Sequence, residues 1–420
     1  MTFDPSLLAD IRSRFAHVET CPLTGPRIFF ENAGGALTLK SVVDTSAKFA
    51  AIPDNQGRAN EASKELVRII DKGRADLAQL LNATGGQIIV GESGTELLFR
   101  MIRAACRSAP KGARVLGSTL EHPASRSAAE HWASETWLSH VLVPHDDATG
   151  TVTADHYRSE ITADTAVATI IHCSPVTGMD VDVAGIANAI REVAPDCFII
   201  VDGIQHAAHG NMDLSAYGID GYAISPYKMF SRHGFGAAWI SDRLRAAPHD
   251  TLVGGPELNW ELGTRDTGSY ATLSDVVDYL DWLGGRVSDH ADRRDRIEAA
   301  GAAIHAHETA LTDAMLFGID NLKGLTELTG VKIIGGARNP ARAGLVSCWV
   351  EDIPTPNMIQ ALDEHGIRVH IRKADHYSGN VLAPLGREDC IRVSLCHYNS
   401  PAEVAAFLSA MAKVLEEQRA

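Results

Sequence analysis

The stretch from Phe198 to Trp239, FIIVDGIQHAAHGNMDLSAYGIDGYAISPYKMFSRHGFGAAW, sets the terms for the rest of the chain. Two short apolar runs within it, Phe198–Val201 and Tyr222–Ile224, have the composition of strands buried on both faces. The first ends on a carboxylate, Asp202. The second leads through Ser225, Pro226 and Tyr227 to Lys228, and a glycine-punctuated loop, His233–Gly236, follows. In open α/β sheets, ligands bind just past the carboxyl ends of the parallel strands. The pattern therefore predicts an α/β fold with Asp202 and Lys228 at one ligand-binding edge.

A carboxylate and a lysine at that edge suit pyridoxal 5'-phosphate (PLP) chemistry. The lysine can form an imine with an aldehyde cofactor. The carboxylate can hold a proton on the pyridine nitrogen, which makes the ring an electron sink. Spacing alone leaves a plainer alternative open: two surface residues at strand ends.

The blocks VDGIQ, AISPYK and HGFGAAW resemble the Asp-x-x-Gln, Ser-x-x-Lys and Gly-x-Gly segments of the class V aminotransferases, the group that includes the cysteine desulfurases. The likeness is greatest to a desulfurase-like subgroup, and it extends to both ends of the chain. It implies a fold-type I PLP-dependent transferase. Its large PLP-binding domain, 21–288, would hold a mainly parallel seven-stranded sheet flanked by helices. A smaller C-terminal α+β domain, 289–420, would be joined by the N-terminal helix 1–20.

Composition narrows the alternatives. A formal net charge of -15 argues against a nucleic-acid groove or an anionic membrane surface as partner. No segment approaches the roughly 18 uninterrupted apolar residues of a membrane span. The N-terminus lacks the apolar core of a signal peptide, and Leu7, Leu8, Ile11 and Phe15 recur in it at helical spacing. The seven cysteines are scattered, with no C-x-x-C pair. A cytoplasmic setting and no metal are expected.

Further candidates follow in chain order. Pro26–Gly35 is an apolar run turning into a glycine-rich corner, similar to the family's Leu-Asp-Asn-Ala-Ala entry to the active site. That likeness puts Asn32 in the substrate pocket, and a turn Asn is the alternative. Glu61 stands near a position where the family often has histidine, and Arg58 could face an anion or a surface partner. Ile88–Val90 leads into Gly91-Glu-Ser-Gly-Thr-Glu96, and Leu97, Leu98, Met101, Ile102 and Ala105 continue at helical spacing. A strand, a tight turn and a helix start make an anion site, although Ser or Thr there also serves as a cap. The resemblance assigns Gly94 and Thr95 to the cofactor phosphate. Val115–His122 resembles the family's strand ending in Glu-His, which would lay His122 flat on the pyridine ring.

Ala166–Ile171 reads as a strand, and Val183, Ile186, Ile190 and Val193 as the crossover helix of a β-α-β unit. Pro175 replaces a family Asn that contacts substrate or the ring oxygen. By the same likeness, Gln205 would bind the ring hydroxyl and Ser225 the phosphate. Tyr227, in place of the usual His, would keep one hydrogen-bond donor. Thr264, in Trp260–Thr267, would reach the cofactor phosphate of a partner subunit, which implies a homodimer with shared active sites. An ordinary loop is the alternative.

From about Asp289 a charged helical stretch reads as the link to the small domain. Strand-like runs follow at Gly344–Val350, Ile367–Ile371 and Ile391–Leu395. Ser400-Pro-Ala-Glu403 starts the last helix, with an N-cap Ser, Pro at N1 and Glu at N3. Arg392 matches the group's Arg-x-Ser-x-x-x-Tyr-Asn ending and would hold the α-carboxylate of an amino acid.

Desulfurases of this type carry a reactive cysteine on a small-domain loop. The corresponding stretch here is Asp375-His-Tyr-Ser378, without a cysteine, and Cys390 and Cys396 read as buried thiols. A desulfurase that hands sulfur to a scaffold protein is therefore disfavoured. The remaining chemistry needs only Lys228 as general base, with His376 and Tyr377 as candidate pocket acids. The leading expectation is a desulfurase-like lyase cleaving at the β-carbon of an amino acid. An aminotransferase, a racemase and a non-catalytic PLP-binding homologue stand as alternatives. Walker and Gly-x-Gly-x-x-Gly patterns are missing, which argues against a nucleotide-binding reading.

Overall fold

The computed structural model describes residues 2–420. Seven strands form the large sheet: β1 (Gln87–Gly91), β2 (Arg114–Ser118), β3 (Ser139–Val143), β4 (Thr165–Ile171), β5 (Phe198–Asp202), β6 (Gly221–Ile224) and β7 (Gly236–Ile240). Their spatial order is β1-β7-β6-β5-β4-β2-β3. β7 is antiparallel to both of its neighbours, and all other pairs are parallel. Every residue of β5 and β6 except Phe198 is buried, which is why both read as continuous apolar runs.

Register places the site. Ile171 pairs with Asp202 across β4 and β5, and Asp202 pairs with Ala223 across β5 and β6. The carboxyl ends of three strands therefore lie side by side, and the segments that follow them share one crevice. The antiparallel β7 adds a fourth element. Its first residue, Gly236, pairs with Gly91 at the end of β1. A Cβ at Gly236 would overlap the Ser93 carbonyl carbon, so only glycine lets the turn after β1 lie against β7.

Helices cover the sheet. The first, α1 (Pro5–Ser13), buries Leu7 and Ile11 in the larger apolar cluster, where Phe15 joins them. Its Arg12 reaches the Tyr398 carbonyl at 2.8 Å and Glu403 at 3.1 Å. Later helices against the sheet include α2 (Gly94–Ser108), α3 (Pro123–Glu135), α4 (Val183–Val193) and α5 (Thr267–Val287). As the periodicity predicts, α4 crosses from β4 to β5 with Val183, Ile186 and Ile190 buried.

The second sheet contains β8 (Val331–Ile333), β9 (Leu345–Val350), β10 (His370–Lys373) and β11 (Asp389–Ser394), in the antiparallel order β8-β9-β11-β10. Together with α6 (Arg293–Phe317) and α7 (Pro401–Glu417) it encloses its own apolar cluster, including Leu311, Met315, Val346, Val393, Phe407 and Met411. Ser400 and Glu403 form the expected reciprocal cap at the start of α7.

Three strands, β3, β7 and β8, go beyond the runs expected from sequence. The run Ile367–Ile371 is also split. Ile367–Arg368 pairs in parallel with Ile28–Phe29 near the chain start, and β10 begins only at His370. No helix among the described residues is long and apolar enough to cross a membrane.

Candidate active site

The segments after β4, β5 and β6 meet the start of α2 around an inner cavity. Asp202, Gln205, Ser225 and Lys228 line it with Thr95, His122, Cys173 and Tyr227. Asp202 is 3% exposed, and its Oδ1 accepts the Ile204 N–H at 3.1 Å. Burial raises its pKa to about 6, opposed by that hydrogen bond and by Lys228, so the group is a carboxylate at neutral pH.

Lys228 Nζ donates to Gln205 Oε1 at 3.1 Å. Burial, and then the Arg392 charge, lower its pKa to about 8, while Asp202 pulls the other way. The amine form is therefore populated above about pH 8, not only above the ordinary 10.5. Acylation of Lys228 in cofactor-free protein, read by peptide mass mapping across pH, should be half-maximal near pH 8. A midpoint at the ordinary lysine value would refute this electrostatic picture.

His122 caps α3, and its Nδ1 accepts the Ala124 N–H at 3.2 Å. Burial, and then Lys228, Arg372 and Arg126, hold its pKa down to about 3, so the ring is neutral. Glu121 lies behind it, accepting from Ile171 N at 2.8 Å and Ser125 Oγ at 2.6 Å. Burial raises that carboxyl to about 7.

At the other end of the cavity, Ser93 is the N-cap of α2, accepting the Glu96 N–H at 3.0 Å. The cap and the anion turn are thus different residues of one motif, with Thr95 left to line the cavity and Gly94 packed beside Ser225. A Cβ on Gly94 would lie 2.6 Å from Ser225 Oγ. Its absence brings two hydroxyl-bearing segments, Thr95 and Ser225, around a helix N-terminus, which is a cradle for an anion.

Outside lies a mouth of about 500 Å³. Glu31, Ala33 and Gly34 form one wall and β10 another, with Lys228, Pro175, Tyr377 and Arg392 between them. Arg392 is 2% exposed, and its Nη1 donates to the Pro175 carbonyl at 3.1 Å. Its Nε has no partner, nor do Nε and Nη2 of Arg372. Burial and then the neighbouring Arg372 charge push Arg392 down to about 9. A buried and a half-buried arginine with unmet donors, side by side on the mouth, suit an anion there.

Most of the expected site residues therefore converge. Three do not. Asn32 is buried, but Nδ2 donates to Ser394 O at 2.8 Å and Oδ1 accepts from Tyr398 OH. The substrate contact expected of Asn32 is corrected on that ground: its amide is spent on holding the wall that its neighbours Glu31 and Ala33 present. His376 is exposed and absent from the mouth lining, where Asp375 and Tyr377 stand. Thr264 is exposed before α5 and outside both cavities of its own chain. Glu61 makes a surface pair with Lys64.

Sequence reasoning does not find Arg372, Glu31 and Cys173. Arg372 follows a strand-like run and resembles any exposed basic residue, and only its missing partners single it out. Cys390 and Cys396 are fully buried, and no cysteine lines the mouth.

The residues present fit PLP. The buried Asp202 carboxylate suits a ring nitrogen, Lys228 an aldehyde, the Gly94–Thr95–Ser225 cradle a phosphate, and the neutral His122 ring an aromatic face.

Comparisons with known proteins agree. The family model described as aminotransferase class-V matches residues 28–286 and 295–407. A probable cysteine desulfurase of Xylella fastidiosa is 26% identical, covering 97% of this chain and 94% of its own length. The cysteine desulfurase-like protein ustD of Aspergillus flavus is also 26% identical, covering 97% and 91%. Among solved structures, the cysteine desulfurase CsdA of Escherichia coli superposes with a TM-score of 0.79 at 23% identity, over 100% of both chains. An apo cysteine desulfurase from Thermococcus onnurineus gives 0.81 at 21% identity, over 99% and 100%. With the family matched over most of its length and the cofactor cradle in place, the chain belongs to the class-V aminotransferases and is a PLP-dependent enzyme.

Proposed function

We propose that this enzyme is a desulfurase-like lyase that cleaves a bond at the β-carbon of an amino acid, such as a C–S bond. One observation carries the reading: Lys228 lines both the inner cavity and the arginine-lined mouth. A base thus stands between the cofactor cradle and the place where a substrate carboxylate would be held.

PLP, when bound, supplies the electron sink. Asp202 would hold a proton at the ring nitrogen, and the neutral His122 ring would offer it an aromatic face. Gly94, Thr95 and Ser225 would hold the phosphate, and Gln205 and Tyr227 would contribute hydrogen bonds. Arg392 binds the α-carboxylate, with Arg372 beside it. Lys228 would take the α-proton, and a substituent leaving Cβ with its bonding pair would pass into the mouth beside Tyr377. Water completes the reaction to a keto acid and ammonia.

The relatives named as cysteine desulfurases support sulfur as the departing atom. The cysteine-free mouth supports its release to solvent in place of capture on the protein. By the family likeness of Trp260–Thr267, Thr264 would serve the cofactor of a second subunit in a homodimer. Seven free cysteines suit a reducing cytoplasm.

The test is a screen of amino acids against cofactor-loaded enzyme. Keto acid, ammonia and sulfide from cysteine or a related thiol amino acid are the expected products. Conversion to a pyridoxamine form that only a keto acid restores would establish an aminotransferase instead. Failure to bind PLP at all would leave a fold without the chemistry.

A further inference from the structure

A line of buried polar side chains runs from Lys228 away from the mouth to the helix α6. Lys228 Nζ meets Gln205 Oε1 at 3.1 Å, Gln205 Nε2 meets His209 Nε2 at 3.2 Å, and His209 Nδ1 meets Glu308 Oε2 at 2.8 Å. Gln205, His209 and Glu308 are 5%, 4% and 1% exposed. Gly344 leaves the room: a Cβ there would lie 2.8 Å from Glu308 Oε2.

With Lys228 as the ammonium, His209 neutral and Glu308 a carboxylate, one assignment of protons fits this line. A lysine ammonium has donors only, so it takes the Gln205 oxygen. Gln205 then presents its amide N–H to His209, whose Nε2 must accept. The proton of a neutral His209 is left on Nδ1, where the Glu308 carboxylate can only accept it. Every link donates in the same direction and the line ends on a negative charge. Such chains polarise each member, and they do so most in a dry interior. We propose that Glu308 and His209 are positioning residues that fix the Gln205 amide with its oxygen towards Lys228 and strengthen it as an acceptor for the lysine protons.

The proposal rests on Lys228 being the cofactor lysine, and it extends the site across the molecule. Glu308 belongs to the helix that packs in the small-domain cluster, while Lys228 follows a strand of the large sheet. Other charges that face Lys228 are Asp202, Arg392 and Arg372. Cys396 and His397 share the surroundings of Glu308. None of these closes the line from Gln205 to α6.

The test uses cofactor-free, full-length protein and acylation of Lys228, followed by mass spectrometry at neutral pH. Glu308→Gln keeps the size and can still accept from His209, so a packing role predicts the wild-type rate. The proposal predicts that Glu308→Gln raises the rate about threefold, because the ammonium loses its polarised acceptor. Gln205→Met should do the same, and the double variant should add nothing further. In loaded enzyme, Glu308→Gln should lower kcat and leave KM for the amino acid unchanged. If Glu308→Gln fails to fold, His209→Asn breaks the line one step earlier and is read in the same way. A wild-type acylation rate in these variants, or additive effects in the double variant, would overturn the proposal. Neither readout of Lys228 acylation needs PLP, so a failure of the lyase reading leaves a distinct result.

Discussion

Replacing Lys228 with Ala is expected to remove both the absorption band near roughly 410–430 nm of the cofactor-loaded protein and its turnover, the latter by ~10⁴-fold or more. Two roles fall together in this variant, the covalent hold on the cofactor and the proton transfer at the α-carbon. No other lysine lines the inner cavity among the described residues, and Lys373 on β10 reaches only the mouth. The remaining cradle keeps its hydroxyls, its helix N-terminus and Asp202, so the variant should still bind PLP, reversibly and without the band. Spectra of the dialysed protein and single-turnover product analysis decide the matter. A Lys228→Ala enzyme that holds its band through dialysis and turns over substrate would place the chemistry elsewhere.

Asp202→Asn should separate stability from activity. Asp202 costs the fold free energy because burial raises its pKa from the ordinary 3.8 to about 6. The folded state binds the extra proton between those values, so stability contributed by this site falls as pH rises through that window and stays reduced above it. The rise corresponds to ~3 kcal/mol as an upper bound at neutral pH. Asn keeps the acceptor for the Ile204 N–H and carries no charge. The cofactor-free variant should therefore melt higher than wild type at neutral pH, by a smaller amount at pH 4. Loaded with PLP, it should lose ~10²–10³-fold in kcat, since the stabilising charge at the ring nitrogen is gone. Calorimetry at the two pH values and steady-state kinetics check both halves. A variant less stable than wild type in the cofactor-free state would contradict burial as the cause of the raised pKa.

The parts of the site that are legible in the sequence share one property: their residue type is unusual for its place. A carboxylate ending a fully apolar run, a lysine just past another and an arginine inside a strand all stand out against a buried parallel or antiparallel sheet. The strands β3 and β8 escape notice because both are short or partly exposed edges, with mixed burial that blurs the pattern. Glu308 escapes for the opposite reason. The run HADRRDRIEAAGAAIHAHETAL looks like a solvated helix, yet His307 and Glu308 on it are fully enclosed. Composition reports the average face of a helix, not the one turn that enters a polar interior. Asn32 departs from its expected role because a glycine-rich corner shows that a turn exists but not which of its side chains point outward.

The wall of the mouth is built from the two extremes of the chain. Phe30 N donates to Arg368 O at 2.9 Å, and Ser394 N donates back to Phe30 O at 2.8 Å. During synthesis the large sheet can be complete while the segment around Glu31 still lacks these anchors, because they emerge last. Long-range pairing of this kind comes late and slowly in folding. Both anchors of this wall lie in segments that leave the ribosome late, so the mouth is the last part of the site that synthesis can complete.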